Sequence, residues 1–332
     1  MKAFIKAIAR YLPEGRLSNA SLVQEFPEWG AEKILSKVGI NTRRIAAADE
    51  TATDMAERAA QNLFERCHIA KGAVDYLLFC TQSPDYFLPA SACLLQNRLG
   101  LSVHTGALDF NQGCSGYIYG LSLAKGLLAG GIASNVLLLT AETYSRYVHP
   151  QDKACRTIFG DGASATLIAK EGFAELGEFC LGTDGAGAEN LIVRTGGARN
   201  PARLNALEMD GYGNPVSPDH LYMNGGEIYS FTLRTIPAMV EETLRKSKIA
   251  QDDVDLFVFH QANGYMLEQL RKKLNIDKDK FFVNLSELGN TVSSSIPIAL
   301  CEALEKGLIQ KGTKILLAGF GVGLSWGGCV LT

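Results

Sequence analysis

Cys114 stands at a break between two kinds of segment, which is where a cysteine is best placed to react. Before it lies the apolar run Gly106-Ala107-Leu108-Asp109-Phe110; after it comes the helical pattern Ser115-Gly116-Tyr117-Ile118-Tyr119-Gly120-Leu121. A thiol at that break meets the first free N–H groups of a helix, and the positive end of the macrodipole favours the thiolate. Gly113 and Gly116 on either side let the backbone bend and let another group come close. Most buried cysteines are inert packing, but this setting points to a nucleophile. Two further side chains complete a candidate site far downstream. His260 closes the run Phe257-Val258-Phe259, and Asn290 follows Leu288-Gly289. Each lies just past an apolar strand, where α/β folds place their chemistry. A neutral imidazole and an amide can donate hydrogen bonds to a developing oxyanion, provided the ring is held in the right tautomer. A thiolate is both nucleophile and leaving group, so Cys, His and Asn together suit acyl transfer through a thioester.

The elements that must carry these residues alternate between strand and helix. Helical periodicity covers 54–66, 91–99, 115–128, 227–246, 265–274 and 295–305, and continuous apolar runs at 76–80, 136–140, 165–168, 256–259 and 314–318 read as buried strands. The fold class is therefore α/β. The two halves rhyme: Asp75-Tyr76-Leu77-Leu78-Phe79-Cys80 and Asp255-Leu256-Phe257-Val258-Phe259-His260 each follow a helix and an acidic turn. This predicts a duplicated unit, 1–170 carrying the cysteine and 171–332 carrying His and Asn, with a site between them. The stretch from about Leu181 to His220 breaks the alternation. Rich in Gly, Asn and Pro, it reads as a lid or a dimer-facing insertion.

The bulk composition excludes several function classes. The 332 residues are 47% hydrophobic and 20% charged, with a net charge of −3, so there is no electrostatic footprint for nucleic acid. No run is long enough to cross a membrane, the N-terminus lacks the features of a signal peptide, and the chain reads as cytoplasmic. The eight cysteines, Cys67, Cys80, Cys93, Cys114, Cys155, Cys180, Cys301 and Cys329, are scattered without a CxxC pair or a nearby histidine partner. Neither a metal site nor a disulfide frame is expected. His68, His104, His149 and His220 read as surface or structural, and Asp161 as a residue that holds the turn Phe159-Gly160-Asp161-Gly162.

Further motifs give the chain a family likeness. Tyr11-Leu12-Pro13, Val38-Gly39-Ile40, Ile158-Phe159-Gly160-Asp161-Gly162-Ala163 and Gly319-Phe320-Gly321-Val322-Gly323-Leu324-Ser325-Trp326-Gly327 occur with the ordered Cys, His and Asn. In these the chain resembles the β-ketoacyl-acyl-carrier-protein synthase III group of the thiolase superfamily, over essentially its whole length. The resemblance implies a five-layered αβαβα fold of two duplicated halves, usually a homodimer. It implies acylation of Cys114 followed by decarboxylative Claisen condensation with a malonyl thioester, in fatty-acid or related secondary or polysaccharide metabolism. The substrates would be acyl-CoA or acyl carrier protein and the malonyl thioester, with no cofactor. The backbone N–H groups of Cys114 and Val322 correspond to the family's oxyanion donors. Leu88, before Pro89, corresponds to the residue that reaches into the partner subunit and gates the acyl tunnel.

Related chemistries fit less well. A thiolase needs a second cysteine in a setting that Cys329 lacks, and a 3-hydroxy-3-methylglutaryl-CoA synthase needs a glutamate where Gln82 stands. A cysteine protease would not explain the remaining motifs, and the glycines of 319–327 lack dinucleotide spacing. The alternative within the fold is an acyltransferase that passes its acyl group to an oxygen or nitrogen nucleophile. Retention of Asn290 favours carbon–carbon bond formation.

The departures from the family lie at the mouth. Lys33 and Lys37 replace a Trp and an Arg that sandwich and pair the adenine end of coenzyme A. Tyr265 replaces an Arg and Ser230 a Lys. Arg271, Lys272, Lys273, Lys153, Lys37 and Asn263 remain as candidate carrier or CoA contacts. The pattern predicts an acyl-carrier-protein donor, or a longer or unusual acyl group, in place of acetyl-CoA held by its nucleotide.

Overall fold

The structure is a computed structural model and describes residues 2–211 and 213–332. The strands in chain order are β1 (Phe4–Tyr11), β2 (Gly15–Ser18), β3 (Thr42–Ile45), β4 (Tyr76–Cys80), β5 (Gly106–Phe110), β6 (Asn135–Glu142), β7 (Gly162–Ala169) and β8 (Ala174–Thr183). They continue as β9 (Leu191–Ile192), β10 (Glu208–Met209), β11 (Pro215–Val216), β12 (Tyr222–Met223), β13 (Leu256–Phe259), β14 (Phe281–Phe282), β15 (Ile315–Gly321) and β16 (Ser325–Leu331). The helices are α1 (Asn19–Glu25), α2 (Ala31–Val38), α3 (Ala52–Arg66), α4 (Ser91–Arg98), α5 (Gly116–Ala129), α6 (Lys153–Arg156), α7 (Gly225–Ser247), α8 (Gly264–Lys273) and α9 (Ser295–Glu305).

Ten strands form one hydrogen-bonded sheet in the order β14-β13-β15-β16-β8-β1-β7-β6-β4-β5. At its centre β1 and β8 share only the pairs Phe4↔Glu175 and Ile5↔Ala174, so two five-stranded halves meet at a short seam. The halves repeat each other. In the first, β4 runs parallel to β5 and β6, and β7 lies antiparallel to β6 and β1. In the second, β13 runs parallel to β14 and β15, and β16 lies antiparallel to β15 and β8.

The period-2 alternation of buried strands sends side chains to two different cores. Leu77 and Phe79 of β4 pack under α3 and α4, whereas Leu78 faces inward. In β13, Phe257 and Phe259 pack under α7 and α8, whereas Leu256 and Val258 face inward. The inward residues of both halves close on α5 and α9, whose Tyr117, Ile118, Leu121, Ile296 and Ala299 are buried. Five layers result, as the family likeness implies: outer helices, strands, the α5/α9 pair, strands, and outer helices.

All six helical segments expected from periodicity are present, with ends displaced by a few residues at most. The break in alternation comes later than Leu181, because β16 pairs with the end of β8 as far as Ser325↔Thr183. Beyond it the connection is pinned by Asp219, whose carboxylate accepts from Thr195 Oγ1 (2.5 Å), Leu204 N–H (2.9 Å) and Asn205 N–H (2.7 Å).

Candidate active site

Cys114 and His260 sit beyond strand ends, whereas Asn290, expected just past a strand, follows the short helical turn Leu285–Glu287 that comes after β14. Cys114 follows β5 and precedes α5, and it is only 5% exposed. The backbone at Gly321, which ends β15, passes directly over it: a Cβ built there would lie 2.7 Å from the Cys114 sulfur. That contact explains why the strand ends in glycine. The N–H groups of Val322 and of Cys114 itself bond to the thiol and favour the thiolate, but burial opposes them and wins. The thiol pKa is pushed up to about 12 by burial first, with the Glu142 carboxyl adding to the effect. The expectation of a helix-stabilised thiolate is therefore corrected. In the resting enzyme the group is a thiol, because desolvation exceeds what two backbone donors return.

His260 continues from β13, its N–H donating to Ala318 O of β15 (2.7 Å). Its ring is buried, packs edge-on against Phe320 (5.7 Å between centroids), and has Nδ1 2.7 Å from Ser295 Oγ. Burial drives its pKa down to about 3, against a backbone hydrogen bond with Val292, so the imidazole is neutral. Asn290 is fixed by backbone bonds to Ile158 O (2.8 Å) and from Gly160 N–H (3.0 Å). Its Oδ1 accepts from Val292 N–H (2.9 Å), which turns the amide nitrogen toward His260 Nε2, 3.4 Å away. Val292 has φ 53°, a left-handed conformation that is costly for a β-branched residue, and strain of this kind gathers at functional sites. His260 and Cys114 thus pack against Phe320 and Gly321 at the end of β15, with Asn290 alongside His260.

Three contributors were not singled out from the sequence. Ser295 orients the histidine ring. Ser293 and Glu142 meet behind the site, with Ser293 Oγ donating to Glu142 Oε1 (2.8 Å). Glu142 is wholly buried and its pKa is raised to about 8, chiefly by burial. The signal available for it was a lone acidic residue at the C-terminal end of the apolar run Val136–Ala141. Asp161 holds its turn as expected, its carboxylate accepting from Ala46 N–H (2.9 Å) and from Ser145 N–H (3.0 Å) and Oγ (2.6 Å).

Comparison with known proteins decides the family. The model of the 3-oxoacyl-[acyl-carrier-protein] synthase III family matches residues 108–185, and that of its C-terminal part matches 244–332. A β-ketoacyl-[acyl-carrier-protein] synthase III of Chlamydia caviae is 37% identical over 332 residues, covering 99% of this chain and 96% of its own. The chain belongs to this family. A Caldanaerobacter subterraneus synthase III is 35% identical, with 99% of this chain and 97% of the relative covered. Among solved structures, a 3-oxoacyl-(acyl-carrier-protein) synthase III superposes with a TM-score of 0.97 at 50% identity, covering 100% of this chain and 99% of the other. The Burkholderia xenovorans enzyme superposes at 0.92 with 36% identity, covering 100% and 94%.

The residues expected to mark the family's mouth fall into two groups. Lys37 lies in the last turn of α2, after which Gly39 packs directly on Gly264 at the start of α8, and Asn263 caps that helix through Met266 N–H (2.8 Å). Tyr265 stacks on Tyr229 (5.8 Å) beside them. Lys272 and Lys273 are exposed, but Arg271 is engaged by Glu268 (2.8 and 2.9 Å) and by Ile276 O (2.7 Å). Lys153 is tied to Glu28 and lies over the Phe26 ring. Leu88 is 82% exposed, on a loop with Tyr86 and Phe87. A cleft of about 1190 Å³ has Tyr11, Glu50 and Arg58 in its wall and touches none of Cys114, His260 and Asn290.

Proposed function

We propose that this chain is a condensing enzyme in which Cys114 accepts an acyl group and His260 and Asn290 serve the malonyl thioester. In the first half-reaction the Cys114 sulfur attacks the donor thioester under the N–H groups of Val322 and Cys114. An acyl-cysteine forms, and the donor thiol leaves with the cysteine's proton. In the second, the malonyl group loses CO2 and its thioester oxygen becomes an enolate oxygen. With the ring proton on Nε2 and Nδ1 accepting from Ser295, the histidine and the Asn290 amide present two neutral donors to one oxygen. The enolate carbon attacks the acyl carbonyl, cysteine thiolate leaves, and a solvent proton restores the thiol. The observation that carries this reading is the 3.4 Å pairing of Asn290 Nδ2 with His260 Nε2, whose ring packs on Phe320 next to the Gly321 that covers Cys114. Acyl transfer to oxygen or nitrogen would not need that amide. The test is to mix acyl-enzyme with malonyl-carrier thioester. β-Ketoacyl product with one CO2 per turnover is expected, and hydrolysis or ester formation instead would refute the assignment.

Acyl carrier protein and acyl-CoA are the proposed partners, and Lys272, Lys273 and Lys37 are the proposed cationic contacts. The chain is read as two halves, 1–170 and 171–332, acting in the cytoplasm. Among the described residues no helix is long and apolar enough to cross a membrane. A homodimer is supported by β5, which ends the sheet with Leu108 exposed, and by the neighbouring Tyr86, Phe87 and Leu88, which are 61%, 90% and 82% exposed. An apolar edge of this kind calls for a covering strand, and self-pairing across a twofold supplies one. Leu88 would then enter the partner's acyl tunnel. Light scattering should give twice the chain mass; an active monomer would refute the dimer.

A further inference from the structure

Arg43 is a fully buried guanidinium beneath the turn that carries Asn290. It lies in β3 and is 0% exposed. Its Nε (2.8 Å) and Nη2 (2.5 Å) both donate to Thr157 O, Nη2 also reaches Ile40 O (3.3 Å), and Nη1 donates to Asn19 Oδ1 (2.5 Å). Asn19, itself buried, is aimed by its own amide nitrogen on Ile40 O (2.8 Å). Each of these acceptors is a neutral carbonyl or amide oxygen. A charge buried in this way carries a desolvation cost that an apolar side chain of similar size would avoid. Its presence calls for a task that a rigid, planar fork of donors performs.

The acceptors show what that task is. Thr157 leads directly into residues 158–160, and that segment holds Asn290 by both backbone groups. Asn290 N–H donates to Ile158 O (2.8 Å), Gly160 N–H donates to Asn290 O (3.0 Å), and Phe159 forms a parallel bridge with Asn290. The arginine stem supports the turn just before Asn290. A Cβ built on Gly289 would lie 2.9 Å from Arg43 Cγ and 3.0 Å from Ile158 O, and the φ of 76° there is left-handed. The backbone of the next residue repeats the connection, since Arg44 N–H donates to Leu288 O (3.1 Å) and Arg44 O accepts from Asp161 N–H (2.8 Å). Strand β3 therefore joins both segments that fix Asn290, and Arg43 is the side chain between them.

We propose that Arg43 is a positioning residue for the decarboxylation half-reaction, which sets the Asn290 amide against His260 by gripping Thr157 O beneath Gly289. The proposal rests on the malonyl role assigned to Asn290 and His260. The amide meets Nε2 at 3.4 Å, so a small shift of the asparagine turn carries one donor away from the shared oxygen. A misplacement of about 1 Å costs on the order of 10²-fold in rate. Lysine has a single ammonium in place of the fork and cannot make the paired bonds to Thr157 O. Cys114 and its donor Val322 lie on other segments, after β5 and β15, so acylation does not depend on this grip.

The test compares full-length Arg43→Lys, Asn290→Ala and the double variant in two single-turnover measurements. One is acylation of Cys114 read by intact mass, and the other is CO2 release from malonyl thioester. Arg43→Lys should acylate at nearly the wild-type rate and release CO2 about tenfold to 10²-fold more slowly. Added to Asn290→Ala, it should slow CO2 release little further, because the group it positions is gone. A merely structural arginine would damage both half-reactions alike or act additively with Asn290→Ala, and either result would overturn the proposal. Normal CO2 release in Asn290→Ala would overturn the malonyl role of Asn290 and the proposal with it. A slow Asn290→Ala beside a normal Arg43→Lys would overturn the proposal alone. If Arg43→Lys fails to fold, Asn19→Ala removes the acceptor of Nη1 and should show the same split at smaller size. An unchanged ratio of the two rates in that variant would overturn the proposal.

Discussion

The amide nitrogen of Asn290 lies 3.4 Å from Nε2 of His260, although 30 residues separate them in sequence. Each is held from behind by a different device. Val292 N–H fixes the amide oxygen, and Ser295 Oγ meets the far nitrogen of the ring. The pair is thus preorganised for an oxygen atom. Donors of this kind act on charge that develops during reaction, which is where they matter most.

Removing one donor should separate the two half-reactions. Asn290→Ala should still acquire an acyl group at Cys114 but release CO2 from malonyl thioester about 10²-fold more slowly, the usual loss for one oxyanion donor. Single-turnover acylation and CO2 release, measured on the same preparation, check this. Equal damage to both steps would count against the division of labour.

The close approach of Gly321 gives a second test. A methyl group there would sit 2.7 Å from the Cys114 sulfur and 2.8 Å from its Cβ, and the backbone φ of 159° also disfavours a side chain. Gly321→Ala should cost about 1–3 kcal/mol by overpacking. It should slow acylation by about 10²-fold through misplacement of the nucleophile. Thermal melting and acylation kinetics report the two effects separately, and unchanged acylation would refute the stated geometry.

His260 should leave a mark on stability at acid pH. Its folded pKa is about 3, below the ordinary 6.5, so an unfolded chain binds a proton that the folded ring refuses. Stability linked to this residue is full above about pH 6.5 and falls by up to about 1.4 kcal/mol per unit as pH drops toward 3. His260→Gln removes that slope. Melting curves at pH 7 and pH 5 should show a smaller loss in the variant than in wild type; parallel losses would contradict the burial argument.

Much of the fold was legible because buried parallel strands and amphipathic helices have different periods. The runs 76–80 and 256–259 lie at equivalent places in the two half-sheets. Cys114 and His260 were legible because each follows a strand end, and Asn290, which follows a helical turn instead, was legible through its place after Leu288-Gly289 in the ordered Cys, His and Asn. Glu142, Ser293 and Ser295 were not. A single polar residue after an apolar run looks the same in sequence whether it turns to solvent or into the core. The state of the Cys114 thiol was misread for a related reason. Helix position is local and visible in sequence, whereas desolvation depends on Gly321 and the other neighbours that close over the sulfur.

At the mouth, Glu268 pairs with Arg271 and, at 3.4 Å, with Lys272, while the Lys272 and Lys273 side chains stay exposed to meet a carrier's acidic surface. Reversing both, as Lys272→Glu with Lys273→Glu, should slow acylation from an acyl-carrier thioester by about tenfold at low salt. Reaction with the matching acyl-CoA should be nearly unchanged. The difference should shrink as salt rises, because rim charges act mainly on encounter rates. An equal effect on both donors at every salt concentration would refute carrier docking at this helix.

The most direct measurement of the central claim is the intact mass of the protein after exposure to acyl-CoA and acyl-carrier thioesters of increasing chain length. Wild type should gain one acyl group, mapped to Cys114 by peptide digestion, and Cys114→Ala should gain none from any donor. Undiminished acylation of Cys114→Ala would contradict the account.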